Sequence, residues 1–202
     1  MKIKASSPLP QPASRAVSKK KLSDINTDVT YWLSQPPKAR LAALQELRNQ
    51  YRLLVKMELT NIFEDFIKRL NAAQAQYIIA GGFAVAIYGY PRYTGDIDIW
   101  INPNPENAKK VLRAIKEIGF SEDDVNMEDL TTPDVLIQLG YPPNRIDIST
   151  GLEGVQFAGC WSRKALMPFG DQMANFISLE DLKTNKKATA RQQDLLDLQN
   201  LS

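Results

Sequence analysis

The chain has 202 residues, 44% of them hydrophobic and 24% charged, with a formal net charge of +2, which suits one ordinary globular domain with a small appendage. The charge is uneven: residues 1–24 hold six of the 25 basic side chains and one of the 23 acidic ones, so the rest carries a net −3 and a general nucleic-acid-binding face is not indicated. Histidine is absent, which excludes a His-based triad, a His general base and an imidazole zinc site; the one cysteine, Cys160, excludes an internal disulfide.

Residues 1–24 are rich in Ser, Pro and Lys and read as a disordered basic tail without a secretory leader. The longest apolar run, residues 77–90, is too short to span a bilayer, so a cytoplasmic protein with no membrane partner is expected. Residues 25–56 read as a helical extension or a partner-like module. Leu44, Leu47, Tyr51 and Leu54 form an apolar stripe, and Pro36-Pro37 separate it from a shorter helix around Trp32. A catalytic domain is expected over residues 57–202. It opens with a helix over about 59–73 that sets Ile62, Phe63, Phe66, Ile67 and Leu70 on one face. The pattern then turns α/β: a strand at 77–80, a short helix at 83–88, a strand at 96–101 and a helix from Asn104 or Pro105 to Ile118, stopped by Gly119. Strands at 135–139 and 145–149 flank the turn "GYPPN", and a further strand is expected around 160–166. Ser178 caps a helix from Leu179, and a last helix covers 192–201.

The chemistry concentrates in residues 80–100, "AGGFAVAIYGYPRYTGDIDIW". Strand side chains alternate, so Asp96 and Asp98 share one face while Ile97, Ile99 and Ile101 turn to the core. Two such carboxylates repel in a partly desolvated site, and a hard divalent cation with oxygen ligands, Mg²⁺ or Mn²⁺, is the simplest partner. Asp147, in "RIDIS", is placed to join them from a neighbouring strand. Three strand-borne acids around two metals suit in-line phosphoryl or nucleotidyl transfer. The bland alternatives are a solvated strand edge for the pair and a structural salt bridge from Asp147 to Arg145 or Arg92. Gly81-Gly82 follow a strand and open a helix, where phosphate oxygens can approach backbone N–H groups; a plain tight turn is the alternative.

Together, "AGGFAVAIYGYPRYTGDIDIW" and "RIDIST" resemble the nucleotidyltransferase superfamily that includes DNA polymerase beta, and within it the small bacterial transferases of toxin–antitoxin and abortive-infection (AbiEii-type) systems. The segment "ISLEDLKTNKKATARQQDLLDLQNL" looks like that family's closing segment, with Lys186, Arg191, Asp194 and Asp197 at the matching positions. The resemblance implies an α/β (α+β) fold, a mixed central sheet flanked by helices. It also implies that Gly81 and Gly82 hold the triphosphate of an NTP and that Asp96, Asp98 and Asp147 bind the metals, Asp147 being the candidate to activate the acceptor hydroxyl. Where the family often has Lys or Arg before the first aspartate this chain has Gly95, so a phosphate contact is either missing or supplied by Arg92 or Lys186, with Thr94 and Arg191 completing the expected nucleotide-binding set. Tyr88, Tyr90 and Tyr93 either stack on a base or pack the loop. The expected reaction moves an NMP to a hydroxyl of a protein side chain or an RNA (tRNA) 3′ end, in a toxin–antitoxin or phage-defence setting with a cognate partner protein. The alternatives are a non-catalytic or autoinhibited binding component of such a system, and a small-molecule, antibiotic-type transferase.

Overall fold

Helix-period and strand-period stretches alternate along the chain, and the fold keeps that order. The computed structural model describes residues 17–21, 61–90, 92, 94–142 and 144–201. They form β1 (Val17–Lys21), α1 (Asn61–Ala72), β2 (Tyr77–Ile79), α2 (Gly81–Ile87), β3 (Asp96–Ile101), α3 (Pro105–Glu117), α4 (Met127–Thr131), β4 (Val135–Leu139), β5 (Arg145–Ser149), α5 (Phe157–Arg163), β6 (Ala165–Phe169), β7 (Gln172–Phe176), α6 (Leu179–Thr189) and α7 (Gln192–Asn200). The helices expected over 25–56, the first residues of the helix expected from 59, and Tyr93 lie outside the described residues.

The seven strands form one sheet in the order β1-β4-β5-β3-β2-β7-β6. The β3–β5 and β2–β7 pairs are parallel and the other four pairs antiparallel, so the sheet is mixed, as expected. Alternation fixes which way β3 faces. Ile97, Ile99 and Ile101 are fully buried, in one core with Phe66, Ile67 and Leu70 of α1 and Val111 and Ile115 of α3. The stripe of α1 thus packs as its spacing predicts, and α1 lies against α3 and β7.

Four segments depart from the sequence reading, one of them α4, a short helix with no counterpart there that opens on a capping box of Asn126 and Asp129. Residues 17–21, within the stretch read as disordered, form β1, an edge strand paired antiparallel with β4. Its Lys-rich sequence suits an edge, where charge discourages further pairing. The strand expected over 160–166 begins only at Ala165; the residues before it form α5, because Phe157 and Cys160 are both buried at helical i, i+3 spacing. The strand β7 was not anticipated. It pairs with β6 through a two-residue Gly170-Asp171 turn, and Gly170 sits at φ +59°. A side chain at Gly170 would run into the Glu64 carboxylate, which accepts from the Asp171 N–H at 2.6 Å.

Helix α3 starts where its cap predicts: the Asn104 side chain accepts from the Asn107 N–H at 2.8 Å, and Pro105 fills the first turn. Asn107 is itself buried. Its Oδ1 accepts from the Gln76 N–H at 2.6 Å, and its Nδ2 donates to the Gln76 and Asn102 carbonyls at 2.9 Å each. One amide therefore clamps the start of β2 and the end of β3 to α3. Asn107→Ala strands those backbone groups and is expected to lower the unfolding free energy by about 2–3 kcal/mol. Urea titration at neutral pH reads this as a lower midpoint, and an unmoved midpoint would refute the clamp.

Candidate active site

The parallel register of β3 and β5 assembles the acids. Asp98 lies opposite Asp147, and Asp96 lies opposite Arg145. All four side chains therefore share the face opposite the isoleucines. Asp147 is almost fully buried, while Asp96 and Asp98 are partly buried.

Each carboxylate has its own surroundings. Asp96 accepts from the Thr94 hydroxyl at 2.5 Å and from one Arg145 Nη. Asp147 accepts from Arg145 Nε at 2.6 Å, from Arg145 Nη2 at 3.0 Å and from Gln138 Nε2 at 3.0 Å. Asp98 accepts only a long hydrogen bond, 3.4 Å, from the Gly82 N–H, and among the described residues no cation forms an ion pair with it. Its pKa reflects that isolation. Burial and the negative charges of Asp96 and Asp147 push it up to about 7, against a smaller pull from Arg191 and the Gly82 N–H. Burial also raises Asp147, with Arg145 and Gln138 working the other way.

The two glycines are required by close packing. Gly81 has φ +57°, and a Cβ there would lie 1.8 Å from Asp98 Oδ2. A Cβ on Gly82 would lie 2.8 Å from the Thr94 Cβ. Gly81, Gly82 and Thr94 thus line the floor on which Asp96 and Asp98 sit.

The predicted basic residues fall into two groups. Lys186 is nearly inaccessible, with 3% of its side chain exposed, and its Nζ reaches Asp194 at 2.8 Å and Asp197 at 2.7 Å. Arg92 forks onto Asp197, Nε at 3.0 Å and Nη2 at 3.2 Å, tying the loop before β3 to α7. Both are therefore held by carboxylates. Arg191, at the N-cap of α7, bonds Asp194 through Nε at 2.7 Å and keeps 62% of its side chain exposed; its charge reaches Asp98. Burial alone would raise Asp194, but hydrogen bonds from Arg191 and Lys186 outweigh it and hold the group at about 2. Asp197 is likewise lowered by Lys186, Gln193 and Arg92 against the effect of burial. Of the aromatic candidates, Tyr88 donates to the Ile177 carbonyl at 2.7 Å and Tyr90 packs on the core, so both serve the loop.

Two residues of the site were not singled out as functional from sequence. Arg145 was weighed only as a salt-bridge partner of Asp147, although strand alternation puts a residue two positions away on the same face. Gln138 faces Asp147 through the β4–β5 register, which no local motif encodes. Among the described residues, no three His, Cys, Asp or Glu side chains are gathered closely enough to hold a metal ion as they stand. The donor chemistry nevertheless fits a hard divalent cation: oxygen donors only, three carboxylates on one face, and an Asp98 whose charge is penalised by its neighbours. A cavity of about 360 Å³ lined by Leu152, Gly154, Gln156, Arg163 and Asp181 includes none of these acids and is a separate feature.

Two outcomes are expected. In the fold Asp98 binds its proton more tightly than the unfolded value of 3.8, so the native state loses stability as pH rises from about 4 through about 7. In chelator-containing buffer, Asp98→Asn should melt with the parent at pH 4 and increasingly above it towards pH 8; a difference that does not change with pH would count against this. Lys186→Met leaves two buried carboxylates without their shared cation and should cost about 3–5 kcal/mol in urea unfolding. A loss below about 1 kcal/mol, the value of an exposed pair, would show the network to be solvated.

No protein-family model matches the sequence, and no curated protein matches it. Among solved structures the chain is similar to the lincosamide antibiotic adenylyltransferase LnuA with lincomycin bound, at 15% identity over 70% of this chain and 95% of that one, with a TM-score of 0.46. It is also similar to a Thermotoga maritima protein described as a nucleotidyltransferase, at 19% identity over 77% of this chain and 92% of that one, with a TM-score of 0.42. Both likenesses are too slight to carry an activity across, and the site's own residues bear the functional reading.

Proposed function

We propose that the chain is a nucleotidyltransferase that moves an NMP from an NTP to an acceptor hydroxyl. The observation that carries this reading is the placement of three carboxylates on one face of two adjacent parallel strands, Asp96 and Asp98 on β3 and Asp147 directly across on β5. Asp96, Asp98 and Asp147 would hold Mg²⁺ or Mn²⁺, which when bound supplies positive charge to the phosphates and favours the deprotonated acceptor. The chain's own residues do the positioning. Gly81 and Gly82 make room for the Asp98 carboxylate and for Thr94 against the backbone, and the glycine pair is assigned to the triphosphate. Thr94 fixes one oxygen of Asp96. Arg191 is the basic side chain left exposed beside Asp98 and is assigned to the triphosphate. Lys186 and Arg92 act through α6 and α7, holding Arg191 in place by way of Asp194 and Asp197. Asp147, whose pKa burial raises, is assigned to receive the acceptor's proton. The acceptor is a protein side chain or an RNA 3′ end, in a toxin–antitoxin or phage-defence setting, with residues 25–56 either a helical extension or a partner-like module ahead of the catalytic domain.

A second reading, a binding component whose chemistry is held off, draws on one observation: Arg145 already engages two of the three acids.

The experiment is incubation of the full chain with Mg²⁺, each α-labelled NTP in turn, total RNA and cell protein. Label on RNA or protein is expected. Asp96→Asn, Asp98→Asn or Asp147→Asn should each lower transfer by about 10³-fold or more, and chelation of the metal should abolish it. Absence of label with every NTP would sink transfer to RNA or protein and favour the binding component.

A further inference from the structure

We infer that Arg145 is a tethered counter-ion that competes with a divalent cation for the carboxylates and so sets how tightly this site takes metal. The inference rests on reading Asp96, Asp98 and Asp147 as the metal-holding acids.

The strand geometry leaves Arg145 little choice of partner. It precedes Asp147 by two residues on β5, hence the same face, and sits across from Asp96 in the parallel register. Its guanidinium spans both acids: Nη2 meets Asp96 Oδ2 and, at 3.0 Å, Asp147 Oδ2, while Nε meets Asp147 Oδ1 at 2.6 Å. Three of the four oxygens on those carboxylates are thus given to one cation. The fourth, Asp96 Oδ1, takes the Thr94 hydroxyl. Asp98 stands outside this fork.

A hard divalent ion bound at ordinary oxygen distances would use these same atoms. It would also sit within a few ångströms of a positive charge, in surroundings where such repulsion is poorly screened. The two cations therefore exclude one another. Arg145 can yield, because 23% of its side chain is exposed and its long stem can turn to solvent, but its backbone tether keeps it beside the site. A guanidinium of this kind holds the Asp96 and Asp147 carboxylates together until a cation of higher charge displaces it.

The rival role is plain glue between β3 and β5, and the two roles move metal affinity differently. Mn²⁺ binding to the full chain can be followed by the paramagnetic resonance of the free ion, without any activity measurement. Arg145→Gln removes the competitor and should tighten Mn²⁺ binding about tenfold. Arg145→Lys keeps the charge without the fork and should fall between. Asp98→Asn should weaken binding in both backgrounds, which locates the ion. Unchanged or weaker binding by a folded Arg145→Gln protein overturns the inference and leaves the metal reading intact. An Arg145→Lys protein that binds more weakly than the parent does the same, even where the Gln variant does not fold. Absence of Mn²⁺ binding in parent and variants alike overturns both the inference and the reading beneath it.

Discussion

Like-charge repulsion on one sheet face is the constraint that organises this molecule. Bringing Asp96, Asp98 and Asp147 together crowds three carboxylates on one partly buried sheet face. Left alone, such a cluster would protonate, splay or unfold the strands that carry it. Each nearby feature answers that difficulty. Arg145 neutralises part of the cluster from within, and Gln138 and Thr94 satisfy individual oxygens. Gly81 gives Asp98 the space a side chain would occupy.

The C-terminal helices carry a complementary arrangement. Lys186, Arg92 and Arg191 converge on Asp194 and Asp197, three cations on two carboxylates. The balance is positive, whereas three aspartates around one guanidinium leave the sheet face negative. Arg191 is where the two meet: it shares Asp194 with Lys186, and its field reaches Asp98. A buried lysine between two acids contributes little net stability for its desolvation. What it does provide is a fixed angle between α6 and α7, and through Arg92 a fixed link to the loop before β3.

Much of this was legible in the sequence, for identifiable reasons. The strands β3 and β5 alternate Ile with Asp, and that period alone assigns both faces. The caps at Asn104 and Ser178 set two helix starts to the residue. Illegible parts depended on partners distant in sequence. That Arg92 takes Asp197 as its acid shows only in the docking of α7 on the loop before β3. Arg145 could have been assigned to the acid face from its spacing, but its bridge to Asp96 needed the parallel register. The α5 misreading arose because a short run such as Cys160 to Leu166 fits either period until its burial is known.

The first strand has a further consequence for how the chain can be shortened. Among the described residues the sheet ends on β1, supplied from residues 17–21, and it is β1 that covers the outer edge of β4. That strand in turn carries Gln138, which steadies Asp147. A polypeptide beginning at Met57 would retain every acid of the cluster yet lose this border. It would offer a row of bare backbone donors and acceptors to any extended peptide, one strand away from the chemistry. Trimming the front of this protein is thus never a change to the front alone: it turns an interior strand into a docking rail.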